Sequence, residues 1–116
     1  IFVKNQIHMS SYLFRRNILA GLSFDATLRA YEDWDFQLAS VEIEMPTHFP
    51  LLCSCVYEVH DHTTDRRGSS TKATDSNALY DYLCIYRKHP APNNEIQLLR
   101  RNLLSVAGLT VPYEML

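Results

Sequence analysis

The first stretch, IFVKNQIHMSSYLF, mixes β-branched and aromatic residues with partial alternation of apolar and polar positions, and predicts extended structure or a strand. RRNILAGL after it predicts a short helical turn that Gly21 ends, and SFDATLRAY a loop or broken turn. In EDWDFQLASVEI the period changes. Tyr31, Trp34, Leu38 and Val41 follow one another at helical spacing, so a helix is expected there, stopped by Pro46.

THFPLLCSCVYEVH is the clearest strand pattern, with Cys53, Cys55, Tyr57 and Val59 on one face and Leu52, Val56 and Glu58 on the other. DHTTDRRGSSTKATDS, from Asp61 to Ser76, is polar and without period, which predicts a surface loop. Two helices are then expected. The first carries Leu79, Leu83 and Tyr86, with Asp75 or Ser76 as cap and Pro90 closing it; the second carries Ile96, Leu99, Leu103 and Val106, between Asn93 or Asn94 and Gly108. Arg100 and Arg101 fall on the polar side of that last helix, as solvated charge. The pattern therefore predicts an α+β chain, mostly helical, with two or three strands too few for a self-sufficient sheet.

At 116 residues and 47% hydrophobic content, the chain has the size and composition of one small domain with a core. A net charge of −2 disfavours disorder and nucleic-acid binding. No apolar run is long enough to span a bilayer. Three cysteines without a C-x-x-C pair point to a reduced, cytosolic setting. The sequence opens at Ile1 with residues that read as the middle of an element, so a piece of a longer protein is expected.

Candidate chemistry centres on the acids around the single tryptophan. Glu32, Asp33 and Asp35 can be the ordinary acidic first turn of a helix, facing its exposed N–H groups. Asp33 lies on the other flank of Trp34 from Glu32 and Asp35, beside Gln37 and Ser40. At the edge of a core built on Trp34, partial desolvation would tune it toward a general base. DWD also matches an acid-any-acid metal motif, but at helical spacing the two aspartates point about 160° apart and cannot share one ion.

Elsewhere, Cys53, Cys55, His60 and His62 have ligand types suited to zinc, yet a strand spreads the C-x-C sulfurs about 7 Å apart. Those cysteines read better as small buried residues. His8, His48 and His89 have no partner pattern. Arg66 and Arg67, in DRRGSS, are either solvated charge or part of a loop that closes over phosphate or acceptor, and Arg67 is the candidate substrate contact.

The order of these features resembles the second half of the catalytic domain of family-2-type glycosyltransferases, which have a GT-A (Rossmann-like α/β) fold. The resemblance runs from Lys4 to Ser70 and is carried by MSSYLFRR, the GLSFD turn (Ser23 standing where the family has a second glycine), FDATLRAYEDWDFQLA and YEVHDHTTDRRGSS. It implies that residues 1–70 are the acceptor-side portion of such a domain and 71–116 a C-terminal helical extension. It further implies an inverting transfer of sugar from a nucleotide-sugar donor to a glycan or lipid-linked acceptor, in bacterial polysaccharide or cell-surface glycan synthesis, at the inner face of the membrane. Asp33 would be the base, Glu32 would orient the acceptor or the helix, and Trp34 would pack beneath or beside the sugar. His60 would meet a Mg²⁺- or Mn²⁺-diphosphate group. Donor binding would belong to an N-terminal half outside this sequence, leaving these 116 residues inactive alone. The reading from another class is a non-catalytic interaction module, with the C-terminal helices as a homo-oligomer contact.

Overall fold

A computed structural model describes residues 1–28, 30–43 and 76–116. Three α-helices order them: α1, Glu32–Ile43; α2, Ser76–Lys88; and α3, Asn94–Val106. Single 3-10 turns occur at Met9–Ser11 and Tyr113–Met115. The expected strand near Leu51–Val59, the loop to residue 75 and the stop at Pro46 lie outside the described residues.

The α+β expectation is corrected on the rest: the described residues are helical and contain no strand. The physical reason is visible in the first stretch. High β-propensity means fitness for a pleated, half-buried surface beside other strands, and here no described strand lies alongside. Its carbonyls bond to side chains instead. Ile1 O accepts from the Trp34 indole at 2.9 Å, Phe2 O from Arg100 Nε at 2.8 Å, Val3 O from the Tyr86 hydroxyl at 2.6 Å and Ile7 O from Gln37 Nε2 at 3.1 Å. The segment is a strap tied to all three helices, and Met9–Ser11 curls into a 3-10 turn. RRNILAGL forms the expected turns, with Gly21 at φ 91°.

The core is built on Trp34, Leu38, Ile85, Tyr86, Leu104 and Leu116, so residues on both sides of position 70 share it. Tyr31, Trp34, Tyr82 and Tyr86 meet edge-on or tilted, with ring centroids 4.8 to 6.2 Å apart. α1 is covered on a second side as well, because Phe36 stacks on Phe24 at 4.6 Å and takes Phe14 edge-on at 5.7 Å. Burial from two sides is why Asp35, Gln37 and Ser40 are inside along with the expected Trp34, Leu38 and Val41.

α3 ends as its sequence requires. Asn93 Oδ1 caps it by accepting from Ile96 N–H at 2.9 Å. At the other end Leu109 N–H bonds Leu104 O, and Gly108 N–H bonds Ser105 O, with Gly108 at φ 84°. That pair of bonds is a Schellman stop, which needs a left-handed residue. The buried face of α3 differs from the expected one. Arg100 and Leu104 are inside, Leu99 is exposed and Val106 is 90% exposed. The solvated reading of Arg100 is corrected: it is fully buried, its guanidinium lying 4.3 Å above the Tyr86 ring and donating to Phe2 O and Leu116 O. Burial holds its pKa below the usual arginine value, against the opposing pull of Tyr86 and Glu42. Among the described residues no helix is long and apolar enough to cross a membrane.

Candidate functional site

The acidic first turn of α1 is set by an unusual backbone. Tyr31, whose carbonyl accepts from Asp35 N–H at 3.0 Å, has φ 64°. A left-handed tyrosine costs about 1–2 kcal/mol, and it persists here because its surroundings fix it. Its ring packs on Trp34 and Tyr82, and Ala30 N–H beside it donates to the buried Asp81 carboxylate at 2.9 Å. The chain thus enters α1 by a sharp bend that puts Glu32 and Asp33 at the half-buried margin and sends Trp34 inward.

Asp33 and Asp35 then face different partners, as helical spacing requires. Asp35 is 1% exposed and bonds to Lys88 Nζ at 2.7 Å and His89 Nε2 at 2.9 Å. His89, 2% exposed, reaches Glu42 through Nδ1 at 2.9 Å. Each ring nitrogen of His89 thus faces a carboxylate oxygen of α1. Lys88 also meets Asp25 at 3.2 Å. Burial pulls the Lys88 ammonium down, but its bonds to Asp35 and Asp25 outweigh that and hold it above its usual value. The network clamps α1 to the C-terminal end of α2. A cavity of about 150 Å³ borders it, lined in part by Asp25, Asp35, Asp81, Cys84 and Lys88, and not by Asp33.

The Asp25 carboxyl is pushed down to about 2, first by the hydroxyl and N–H of Thr27 and then by Lys88. A carboxyl lower in the folded than in the unfolded chain adds stability above pH about 4 and loses it as pH falls toward about 2. Melting temperature followed between pH 5 and 2 is therefore expected to fall less steeply in Asp25→Asn than in the unaltered chain.

Asp33 is half-buried on the opposite flank. Its Oδ1 accepts from Trp34 N–H at 2.8 Å and Asn5 Nδ2 at 3.2 Å, whereas among the described residues Oδ2 has the same Asn5 amide at 3.4 Å. Among the described residues, Oδ1 therefore has two donors and Oδ2 one long contact. The Tyr12 hydroxyl is pushed above its usual pKa by burial and by the charge of Asp33. One turn along α1, Gln37 donates to Ile7 O and lies 3.9 Å from Met9 Sδ. Three buried polar atoms in this strip, Asn5 Oδ1, the Tyr12 hydroxyl and Gln37 Oε1, have no hydrogen-bond partner among the described residues. Leaving a buried polar atom unpaired costs about 1–3 kcal/mol, so such atoms are uncommon in native folds and call for an explanation.

Of the residues singled out from sequence, Glu32 and Asp33 sit together at the start of α1. Trp34 lies beneath them, fully buried in the core, with no exposed surface to meet a sugar. His60, Arg67 and the Cys53, Cys55 and His62 group lie outside the described residues. Among the described residues no group of three His, Cys, Asp or Glu side chains is placed to hold Mg²⁺ or Mn²⁺. Sequence reasoning left out Asn5 and Tyr12, which belong to a strand-like stretch and carry no motif, and gave His89 no partner. Comparison with known protein families, curated proteins and solved structures finds no match to this chain.

Proposed function

We propose that this chain is the acceptor-activating part of an inverting glycosyltransferase, with Asp33 as general base. The observation that supports the reading is the asymmetric carboxylate of Asp33 at the half-buried start of α1, where among the described residues Oδ1 has two donors and Oδ2 one long contact. A base needs that combination of fixed orientation and an oxygen able to take a proton. In the proposed step Oδ2 takes the proton of an acceptor hydroxyl while that oxygen bonds to the anomeric carbon of a nucleotide-sugar. The bond from that carbon to the diphosphate breaks, the nucleoside diphosphate leaves with the electron pair, and attack from the opposite face inverts the centre. Glu32, at the same helix start, orients the acceptor. Donor and divalent metal are held by a nucleotide-binding half outside these 116 residues, with His60 and Arg67 as contacts toward the diphosphate, in the cytoplasm at the membrane face.

Asp33→Asn in the protein containing both halves is expected to lower transfer by about 10²–10⁴-fold with the melting profile retained. Near-normal transfer by that variant removes the base role. A second reading, a non-catalytic oligomerisation module, is favoured by one observation: Leu98, Leu99 and Val106 are exposed on α3. Self-association that Val106→Glu abolishes, in a protein whose transfer survives Asp33→Asn, would support it instead.

A further inference from the structure

We propose that Asn5 is the positioning residue of the Asp33 carboxylate, held against it by a strap that α1 and α2 pin on either side. Resting on the reading of Asp33 as an acceptor-activating base, this assigns to Asn5 the orientation of that base.

Of the two donors to Asp33 Oδ1, the Trp34 N–H belongs to the backbone of α1 and is fixed by the helix. One donor at one oxygen leaves a carboxylate able to swing about it. The second donor comes from outside the helix: Asn5 Nδ2 lies 3.2 Å from Oδ1 and 3.4 Å from Oδ2. An ionised carboxylate only accepts, so Asn5 turns its NH₂ toward Asp33 and its own Oδ1 away. Contact with both oxygens opposes the swing that the Trp34 bond allows. The strap is tied on each side of Asn5, since Val3 O accepts from the Tyr86 hydroxyl at 2.6 Å and Ile7 O from Gln37 Nε2 at 3.1 Å. Both of those donors come from buried side chains, Tyr86 on α2 and Gln37 on α1.

The arrangement suits Asp33 better than it suits the fold. Asn5 Oδ1 is buried and has no hydrogen-bond partner among the described residues. Leucine has nearly the same shape and lacks that atom, so it spares the interior an unpaired acceptor while giving Asp33 no donor.

Asn5→Leu is therefore the test, with Asn5→Ser, too short to span the same distance, as a second variant. The Hα–Hβ couplings of Asp33, measured by NMR in the 116-residue chain, report its χ1 rotamer. Unequal couplings are expected in the unaltered chain and averaged couplings in both variants, with the melting temperature retained. In the protein containing both halves, Asn5→Leu is expected to lower kcat about 10–10²-fold, with KM for the acceptor within about twofold and no further loss in an Asp33→Asn background. Averaged couplings in the unaltered chain, unequal couplings in both variants, early melting of both, or an equal fall in kcat in the two backgrounds would each overturn the proposal. Where Asp33→Asn lowers transfer, an unchanged kcat in Asn5→Leu overturns it as well and leaves the base in place. Near-normal transfer by Asp33→Asn, with averaged couplings in Asn5→Leu, removes only the base.

Discussion

Trp34→Ala is expected to remove about 3–5 kcal/mol of folding stability, as truncation of a large buried aromatic does. A domain of this size holds about 5–15 kcal/mol in all, so the variant should be largely unfolded under mild denaturant. The indole is fully buried, sits at the centre of a ring of tyrosines, and ties the first residue of the strap through Nε1 to Ile1 O. Its loss therefore opens a cavity and frees one end of the strap together. Trp34→Phe separates these effects. It keeps an aromatic body, gives up the bond to Ile1, and should lose about 1–2 kcal/mol. Urea denaturation followed by circular dichroism distinguishes the two variants.

The second large effect concerns Asp35. Breaking a buried ion pair by removing one partner typically costs about 3–5 kcal/mol, because the other charge is left uncompensated. Asp35→Asn should fall near the lower end, about 3 kcal/mol, since Lys88 is half-exposed and can turn to water. His89 has no such escape, being 2% exposed between Asp35 and Glu42. His89→Ala in the Asp35→Asn background is accordingly expected to add less than it does alone, and a double-mutant cycle on the two residues measures that coupling.

Local rules read from sequence reached the elements whose causes are local. The start of α1, the burial of Trp34 and Leu38, the Asn93 cap and the stop at Gly108 all follow from residues within a few positions of one another. What sequence did not carry is long-range. His89 looked partnerless because its acids, Asp35 and Glu42, lie 54 and 47 positions away. Arg100 looked solvated because helical periodicity says which residues share a face, not which face turns inward. A neighbouring tyrosine ring and two carbonyls decided that. The first stretch looked like a strand because its composition suits one, but a strand also needs a neighbour. The site divides along the same line. Asp33 beside Trp34 was legible from spacing, whereas Asn5 and Tyr12 reach it only through the path of the strap.

On the reading proposed, the acids around Trp34 have separate duties, Asp35 binding the helices together and Asp33 left for chemistry. Unfolding free energies of Asp33→Asn and Asp35→Asn, measured side by side in urea at neutral pH, test this most directly. The expected change for Asp33→Asn lies within about 1 kcal/mol, the scale of one hydrogen bond, and the expected loss for Asp35→Asn is about 3 kcal/mol. Equal losses, or the larger loss at Asp33, would contradict that division.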